Sequence, residues 1–137
     1  MLKFTRHHLN ALINHAKETA PNECCGLVGA KAGLTRSIYK LTNSAAHPLV
    51  SYEAEPEDLF AAQREMRERD ETLAAIYHSH PRSAEPFPSE TDVRLAYYPD
   101  ATYLIVGLAD SQPIVRAFTI SEKEHVWQEV EYEILDE

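Results

Sequence analysis

The sequence predicts a mixed α/β fold of the α+β kind, in which the strands form a single central β-sheet. Two segments, 5–19 and 57–70, carry apolar residues at the spacing of three and four that marks an amphipathic helix. Around them lie short runs of alternating or continuous apolar residues, rich in β-branched and aromatic side chains, which are typical of strands. Because the helices interrupt a chain that is otherwise mostly β, we expect one central sheet and a single domain over residues 1–137.

Charge and composition argue against several kinds of function. The 137 residues, 44% of them hydrophobic, are enough to bury one substantial core. The formal net charge of −9 argues against nucleic acid or an anionic membrane as the main partner, because both need a basic surface. The sequence has neither an apolar run of about 18 residues nor the apolar N-terminal core of a signal peptide. The two cysteines, Cys24 and Cys25, are adjacent and are not expected to form a disulfide with each other, so we expect a protein of the reducing cytoplasm.

The N-terminal part is predicted to hold one helix and two strands. The helix has Thr5 as its N-cap and ends before Pro21. Its apolar face is formed by residues at positions i, i+3, i+4 and i+7: Leu9, Leu12, Ile13 and Ala16. The apolar run 24–30 predicts a buried strand, and the alternating run 35–42 predicts a second strand joined to the first by a turn.

The rest of the chain alternates between helices and strands. An irregular stretch at 43–52, with an extended piece at 49–52, leads into the helix over 57–70, which has one apolar and one charged face. Recurring short apolar runs predict four strands, over 73–80, 103–108, 113–120 and 124–132. A helix over 89–97 is predicted between the first two of them. The run 103–108 is continuously apolar, which predicts a central strand. The acidic end, 131–137, is expected to be solvated.

Two histidines at the end of the predicted strand 73–80 indicate a metal site. His78 and His80 are two positions apart, so on a strand both imidazoles project from the same face. Such a pair suits one zinc ion, which binds neutral imidazole nitrogens. A catalytic zinc takes three protein ligands and keeps a fourth position open, and Asp92 is the best candidate for the third ligand.

Each of these residues also has a simpler explanation. Two histidines at a strand end are often no more than a surface pair. The segment from Ser89 to Asp92 has the Ser-x-x-Asp pattern of a helix capping box, in which Ser89 is the N-cap. The two interpretations are compatible, because a cap would fix the backbone where Asp92 must face the metal.

Hydrolysis at such a centre also needs a base that takes a proton from the attacking water and later gives one to the leaving amine. Glu23, which lies just before the first buried strand, is the candidate, but by itself it is an ordinary acidic loop residue and spacing alone does not select it. Cys24 and Cys25 beside it are expected to pack in the interior, since free cysteine is among the most buried residues. His47 is a further histidine considered for a site role. The remaining histidines are expected at the surface: His7, His8, His15 and His125.

Four segments together resemble the JAMM (MPN-plus) zinc metallopeptidases, which cleave peptide or isopeptide bonds after the C-terminus of ubiquitin and ubiquitin-like proteins. The segments are PNECCGLVGA, HSHP, PSETD and LAYYPDATYLIVGL, at 21–30, 78–81, 88–92 and 95–108. The resemblance implies a curved mixed sheet flanked by helices, similar to that of the cytidine deaminases. It also implies Zn²⁺ as the cofactor.

The same resemblance implies a role for each candidate residue. Three side chains would be the zinc ligands: His78, His80 and Asp92. Glu23 would be the general acid and base, and Ser89 would help to stabilise the oxyanion of the tetrahedral intermediate. In one respect the chain departs from the family, because the eight residues 81–88 separate the second histidine from the serine, where seven are usual. We expect the loop to absorb the extra residue before Pro88.

The resemblance also implies a substrate. Small stand-alone members of this type resemble bacterial proteins that process ubiquitin-like sulfur carriers, whose C-terminal tail ends in Gly-Gly. Such a tail is expected to bind in extended form, in a groove that only glycine fits. The sequence leaves the oligomeric state open.

Three other functions compete with this one. A non-catalytic MPN-like scaffold for protein assembly would tend to lose a metal ligand or the glutamate, and this chain keeps all of them. A zinc deaminase would need H-x-E followed by P-C-x-x-C, and neither is present. A non-haem iron oxygenase also uses two histidines and one carboxylate, but the segment around Glu23 argues against it.

Overall fold

The structure is a computed structural model that describes residues 1–136. In chain order it contains these helices and strands: β1 (Leu2–Thr5), α1 (Arg6–Thr19), β2 (Cys25–Lys31), β3 (Leu34–Leu41), α2 (Pro56–Glu68), β4 (Thr72–His80), α3 (Glu90–Arg94), β5 (Thr102–Gly107), β6 (Ile114–Ser121), β7 (Val126–Val130) and β8 (Tyr132–Leu135). The predicted mixed α/β fold with one sheet is confirmed. Within the described residues, no helix is long and apolar enough to cross a membrane.

All eight strands form one mixed sheet in the order β7-β6-β5-β4-β2-β3-β1-β8. The central strand β4 is parallel to β5 and antiparallel to β2. Strands β7 and β8 lie at opposite ends of this order although only Glu131 separates them along the chain. The sheet must therefore curl until its two edges approach each other. A hydrogen bond across the gap supports this, since the Tyr132 hydroxyl donates to the Val115 carbonyl at 2.7 Å.

The curled sheet has an apolar core on each face. One core lies between the sheet and α1, and it includes Leu12, Val28 and Tyr77. The other core lies against α2 and the segment around α3, and it includes Met66 and Ile76. Because successive side chains of a strand point to opposite faces, β4 sends Tyr77 towards α1 and the residues on either side of it towards α2 and α3.

The two long helices form for the reasons that the sequence indicates. In α1 the Thr5 side chain accepts a hydrogen bond from the His8 amide at 3.2 Å, which confirms the N-cap, and the apolar stripe is buried. In α2 a proline, Pro56, stands in the first turn, where its fixed φ suits helix entry and no amide donor is needed. Glu57 and Asp58 follow in the same turn, where negative charge is favoured by the helix dipole.

The C-terminal region differs most from the sequence prediction. The single strand expected over 124–132 is two strands. The acidic end is mostly exposed, as expected, but it also contains β8, which pairs in parallel with β1. Tyr132 starts β8 and packs edge-to-face on Phe4 at 5.8 Å between ring centroids. Strand β1 was also not predicted, because four residues next to a helix cap carry too short a pattern to indicate a strand.

Two smaller predictions are also wrong. The segment 49–52 was expected to be extended, but Leu49 and Val50 lie in a turn. The short helix α3 ends at Arg94 and does not continue to Tyr97. Both lie in segments that contain a proline, Pro48 and Pro99, and where no periodic apolar pattern constrains the backbone.

Candidate functional site

The candidate site lies at the C-terminal end of β4. His78 and His80 project from the same face of this strand, as its period requires, and His78 is completely buried. In the β2–β4 ladder His78 is paired with Cys25, so Glu23, two residues earlier, lies beside the end of β4. Asp92 comes from α3, after the loop that follows β4. The fold therefore brings together residues from three separate parts of the sequence.

Three potential metal ligands converge on one point. The Nε2 atoms of His78 and His80 are 3.1 Å apart, and Asp92 Oδ2 lies 3.1 Å from the first and 3.0 Å from the second. In a tetrahedral zinc site with bonds of about 2.0–2.1 Å, neighbouring ligand atoms are roughly 3.3 Å apart. Two imidazoles and one carboxylate at this mutual spacing form a donor set that fits a zinc ion.

Glu23 lies close to this triad but outside it. One carboxylate oxygen of Glu23 and the two imidazoles have ligand atoms that all lie within 4.8 Å of one another. Among the described residues, Glu23 Oε1 is one of the buried polar atoms without a hydrogen-bond partner, together with His78 Nδ1. Such unpaired atoms reduce stability and need an explanation, which a functional site supplies.

Asp92 combines the two roles that its sequence context suggests. Its Oδ2 atom accepts a hydrogen bond from the Ser89 amide at 2.9 Å, and its own amide donates to Ser89 Oγ at 3.0 Å, which completes the capping box. The same Oδ2 atom faces both imidazoles. Burial raises the pKa of Asp92. The positive charge of His78 and the hydrogen bonds that the Asp92 carboxylate accepts have the opposite effect, which is larger, and they hold the pKa well below its usual range. The carboxylate is therefore ionised and available as a ligand.

The imidazole of His80 responds to the same carboxylate. Burial lowers its pKa, but the hydrogen bond and the negative charge of Asp92 raise it by more, so its pKa lies above the ordinary value. The two residues thus stabilise each other's charged forms. In Glu23 the balance is the opposite, because burial raises the pKa of its carboxyl and the charges of the two histidines only partly offset the effect. Glu23 is therefore able to hold a proton at a pH where an exposed glutamate would release it.

Asn43 fixes the backbone around Glu23, and the sequence did not indicate this. Its Nδ2 group donates to the carbonyls of Glu23 and Ser51, at 2.9 and 3.0 Å. Its Oδ1 atom accepts from the amides of Ala45 and Glu53, both at 3.0 Å. The side chain thereby uses its full hydrogen-bonding capacity to hold the loop after β3 against the loop before β2. In a sequence, an asparagine after a strand indicates no more than a turn.

Tyr52 is a second residue that sequence reasoning did not single out as part of the site. Its ring stacks on the imidazole of His78, with 4.6 Å between centroids and 26° between planes. Contacts of this kind are favourable and restrict how the imidazole can rotate. Burial also raises the pKa of the Tyr52 phenol, so the group stays neutral beside the acidic residues.

Hydrogen bonds and packing contacts fix the path of the loop of eight residues between His80 and Ser89. The Ser83 amide donates to the His80 carbonyl at 3.0 Å, and the Ser83 carbonyl accepts from the Ala109 amide at 3.2 Å. Pro86 is buried against Gly107, and Phe87 packs on Trp127 with 5.7 Å between centroids. These contacts fix the position of the chain that leads to Ser89, the N-cap of α3.

Replacing Gly107 with alanine should disturb this loop and, through it, the site. A Cβ atom there would lie 2.6 Å from the Ser83 carbonyl oxygen and 2.9 Å from Pro86 Cδ, so the loop backbone has to move. Overpacking of this kind costs about 1–3 kcal/mol. We expect a lower urea midpoint and weaker metal binding. The protein's single tryptophan, Trp127, contacts the loop and should report the shift by fluorescence. Unchanged emission and unchanged metal affinity would contradict the prediction.

The remaining candidates lie outside the site or serve packing. Cys24 and Cys25 are buried on opposite faces of the sheet, and burial raises the pKa of their thiols to about 11 and about 12, which makes them poor nucleophiles. His47 is exposed and its carbonyl accepts hydrogen bonds from the turn that follows it. Two histidines expected at the surface are half-buried: His8 contacts threonine hydroxyls, and the Nδ1 atom of His15 contacts the Tyr77 hydroxyl at 2.7 Å.

Comparisons with known proteins identify the family of the chain. The profile of the family Prok-JAB, described as prokaryotic homologs of the JAB domain, matches residues 5–121. The chain is 36% identical over 104 residues to the CysO-cysteine peptidase of Mycobacterium tuberculosis, an alignment that covers 74% of this chain and 70% of that protein.

Two solved structures share the fold. Protein DSY2949 from Desulfitobacterium hafniense superposes with a TM-score of 0.87 and 30% identity, over 100% of this chain and 94% of the other. A JAB1/MPN domain protein from Archaeoglobus fulgidus superposes with a TM-score of 0.64 and 20% identity, over 98% and 97% of the two chains. The expected JAMM (MPN-plus) resemblance is thereby confirmed, and the chain belongs to the family of prokaryotic homologs of the JAB domain.

Proposed function

We propose that this protein is a zinc-dependent peptidase that hydrolyses the peptide or isopeptide bond after the C-terminal Gly-Gly of a ubiquitin-like sulfur-carrier protein. The observation that carries the proposal is the convergence of two imidazoles and a carboxylate on one point, with a buried carboxylate, Glu23, beside them. The name of the CysO-cysteine peptidase supports the peptidase activity and the choice of substrate.

Three side chains would hold the zinc ion: His78, His80 and Asp92. When bound there, zinc supplies Lewis-acid chemistry, since it polarises a carbonyl and lowers the pKa of water. Glu23 takes a proton from the attacking water and later gives it to the leaving amine. Its raised pKa suits this work, because a general acid and base is most effective when its pKa approaches the working pH.

Ser89 is the candidate for stabilising negative charge. Its Oγ atom accepts the capping hydrogen bond from the Asp92 amide, so its hydroxyl proton remains available for donation. The side chain lines the same cleft as Glu23 and His80. We assign it the oxyanion-stabilising role, in which a donor meets the carbonyl oxygen as charge develops there.

The cleft beside Glu23 is the route for the leaving group. It is a cavity of about 330 Å³ between the turn at Leu49 and Val50 and the segment 81–83. It is open to solvent and lies next to the group that delivers the proton. An amine released there can depart without passing through the metal-facing triad.

A non-catalytic MPN-like scaffold is the alternative, and one experiment separates the two functions. Purified protein is analysed for metal and then incubated with a carrier protein extended by several residues beyond its Gly-Gly. We expect one zinc ion per chain and cleavage after the second glycine, stopped by a chelator and restored by added zinc. A protein without stoichiometric metal, or cleavage that a chelator does not affect, contradicts the proposal. Metal binding without cleavage supports the scaffold.

A further inference from the structure

A second cavity, of about 250 Å³, lies beside the candidate metal site and is lined mostly by apolar side chains. Its floor is the sheet face formed by Cys25, Leu27 and Ile76. Ile76 and His78 are successive residues on the same face of β4, so the floor continues directly into the metal-facing pair. Tyr52, whose ring stacks on His78, forms the wall between the cavity and the site.

Exposed apolar side chains form the rim of this cavity. Leu95, Tyr97 and Tyr98 are 42%, 66% and 38% exposed, and all three follow α3, which carries Asp92. Scattered exposed apolar residues are ordinary, but a cluster around a cavity next to a site is typical of a surface that contacts a ligand.

The volume indicates the kind of group that fits. An apolar cavity of about 150 Å³ holds one benzene molecule, whereas pockets for complete small-molecule ligands are usually larger, at about 300–1,000 Å³. A cavity of about 250 Å³ is therefore large enough for one leucine, methionine or phenylalanine side chain. A side chain that belongs to an extended polypeptide is the most suitable occupant, because the substrate is already held at the adjoining site.

The positions of the two cavities show which part of the substrate each one meets. Along β4, the apolar cavity adjoins Ile76, the metal-facing pair follows, and the other cavity adjoins His80. Glu23, which delivers a proton to the leaving amine, lines only the cavity next to His80. The apolar cavity therefore faces the carrier side of the bond that is cleaved.

The distance between the cavity and the metal-facing pair indicates which residue of the carrier reaches the cavity. Two positions along a strand cover about 7 Å, which is the distance from Ile76 to His78 along β4. Two extended glycines of the carrier tail cover about the same distance. The side chain that precedes the Gly-Gly pair can therefore reach the cavity while the second glycine lies at the metal-facing triad.

We propose that the apolar cavity is a specificity site for a large apolar side chain at the residue immediately before the Gly-Gly of the carrier. This inference rests on the proposed function, which identifies the carrier side. It adds a requirement that the Gly-Gly alone does not impose, because a bulky apolar residue is needed to displace water from the cavity and fill it.

The test compares two carriers that differ at one residue, with leucine or serine before Gly-Gly and the same extension after it. We expect wild-type protein to cleave the leucine carrier with a kcat/KM about 10- to 100-fold higher. Short peptides that end in Leu-Gly-Gly or Ser-Gly-Gly are titrated in parallel, so that binding is measured without turnover. The leucine peptide should bind more tightly by a similar factor.

Three variants show whether the cavity is responsible. Ala54→Leu fills the cavity from its wall, and Leu95→Ser removes an apolar rim residue at an exposed position that tolerates substitution. Both should reduce the preference for leucine while metal content stays unchanged. Phe60→Ala is the matched control, because Phe60 is an exposed apolar residue of α2 outside the cavity lining. It should keep the preference.

Equal cleavage and equal binding of the two sequences would overturn the specificity site and leave the peptidase function intact. If neither carrier is cleaved but the leucine peptide still binds more tightly, the specificity site stands and the proposed function fails. If the preference persists in both Ala54→Leu and Leu95→Ser, the cavity is not its source and the inference is wrong.

Discussion

We expect the Glu23→Gln variant to bind metal but to hydrolyse the carrier with a kcat/KM that is lower by a factor of about 10²–10⁴. The substitution preserves the size of the side chain but removes its ability to accept a proton. Metal binding should persist because the three atoms that converge at 3.0–3.1 Å belong to other residues. The measurement is a rate assay on the extended carrier, with metal content determined on the same preparation.

An exposed glutamate supplies the control for this variant. Glu18→Gln makes the same change of charge on α1, where the side chain is 66% exposed and its nearest cation, Lys40, is 3.8 Å away. Its rate should equal that of the wild type. If Glu23→Gln keeps full activity, Glu23 is not the proton carrier. If it loses metal along with activity, Glu23 is a ligand and the assignment of roles must change.

The Asp92→Asn variant should separate metal binding from helix capping. The asparagine Oδ1 atom can still accept the hydrogen bond from the Ser89 amide, so α3 should keep its start. The neutral amide is a poor zinc ligand, and the two imidazoles lose the negative charge beside them. Mutation of a residue that only supports a metal ligand already lowers metal affinity or activity by about 10- to 100-fold in many proteins. We therefore expect a loss of at least about 100-fold in metal affinity, and a comparable loss of activity.

Two further variants complete this experiment. Asp58→Asn changes an aspartate that accepts a backbone hydrogen bond, from the Thr42 amide at 2.9 Å, but faces no histidine. It should keep both metal and activity. Asp92→Ala removes the ligand and also the side-chain half of the capping box, the hydrogen bond from the Ser89 amide, so it should lower the melting temperature of the metal-free protein more than Asp92→Asn does. Wild-type metal affinity in Asp92→Asn would show that the third ligand lies elsewhere.

The parts of the site that lie in regular structure could be predicted from sequence. The period of a strand is enough to place His78 and His80 on one face, and the Ser-x-x-Asp pattern is enough to place Asp92 in the first turn of a helix. Glu23 could be found only through the family resemblance. Its closeness to β4 depends on the pairing of β2 with β4, and strand pairing is not encoded in any local pattern.

The supporting residues were missed for a related reason. Asn43 and Tyr52 lie at the two ends of an irregular segment, where no apolar periodicity indicates which side chains turn inward. Their roles depend on contacts with distant residues: Asn43 with the Glu23 carbonyl and Tyr52 with the His78 imidazole. The apolar cavity has the same character, because α2, the sheet and the segment after α3 enclose it together.

The pairing of β1 with β8 has a consequence for how the chain folds. Residues near the N-terminus meet residues near position 136, as in the ion pair of Arg6 with Asp136 at 2.8 Å, which joins side chains 130 positions apart. By contrast β1 shares only one register pair, Lys3 with Leu34, with its other neighbour β3. Contacts between distant positions slow folding, because chain entropy is lost before any pairing energy is gained. During synthesis, therefore, β1 obtains most of its pairing only after residues 132–135 have been made.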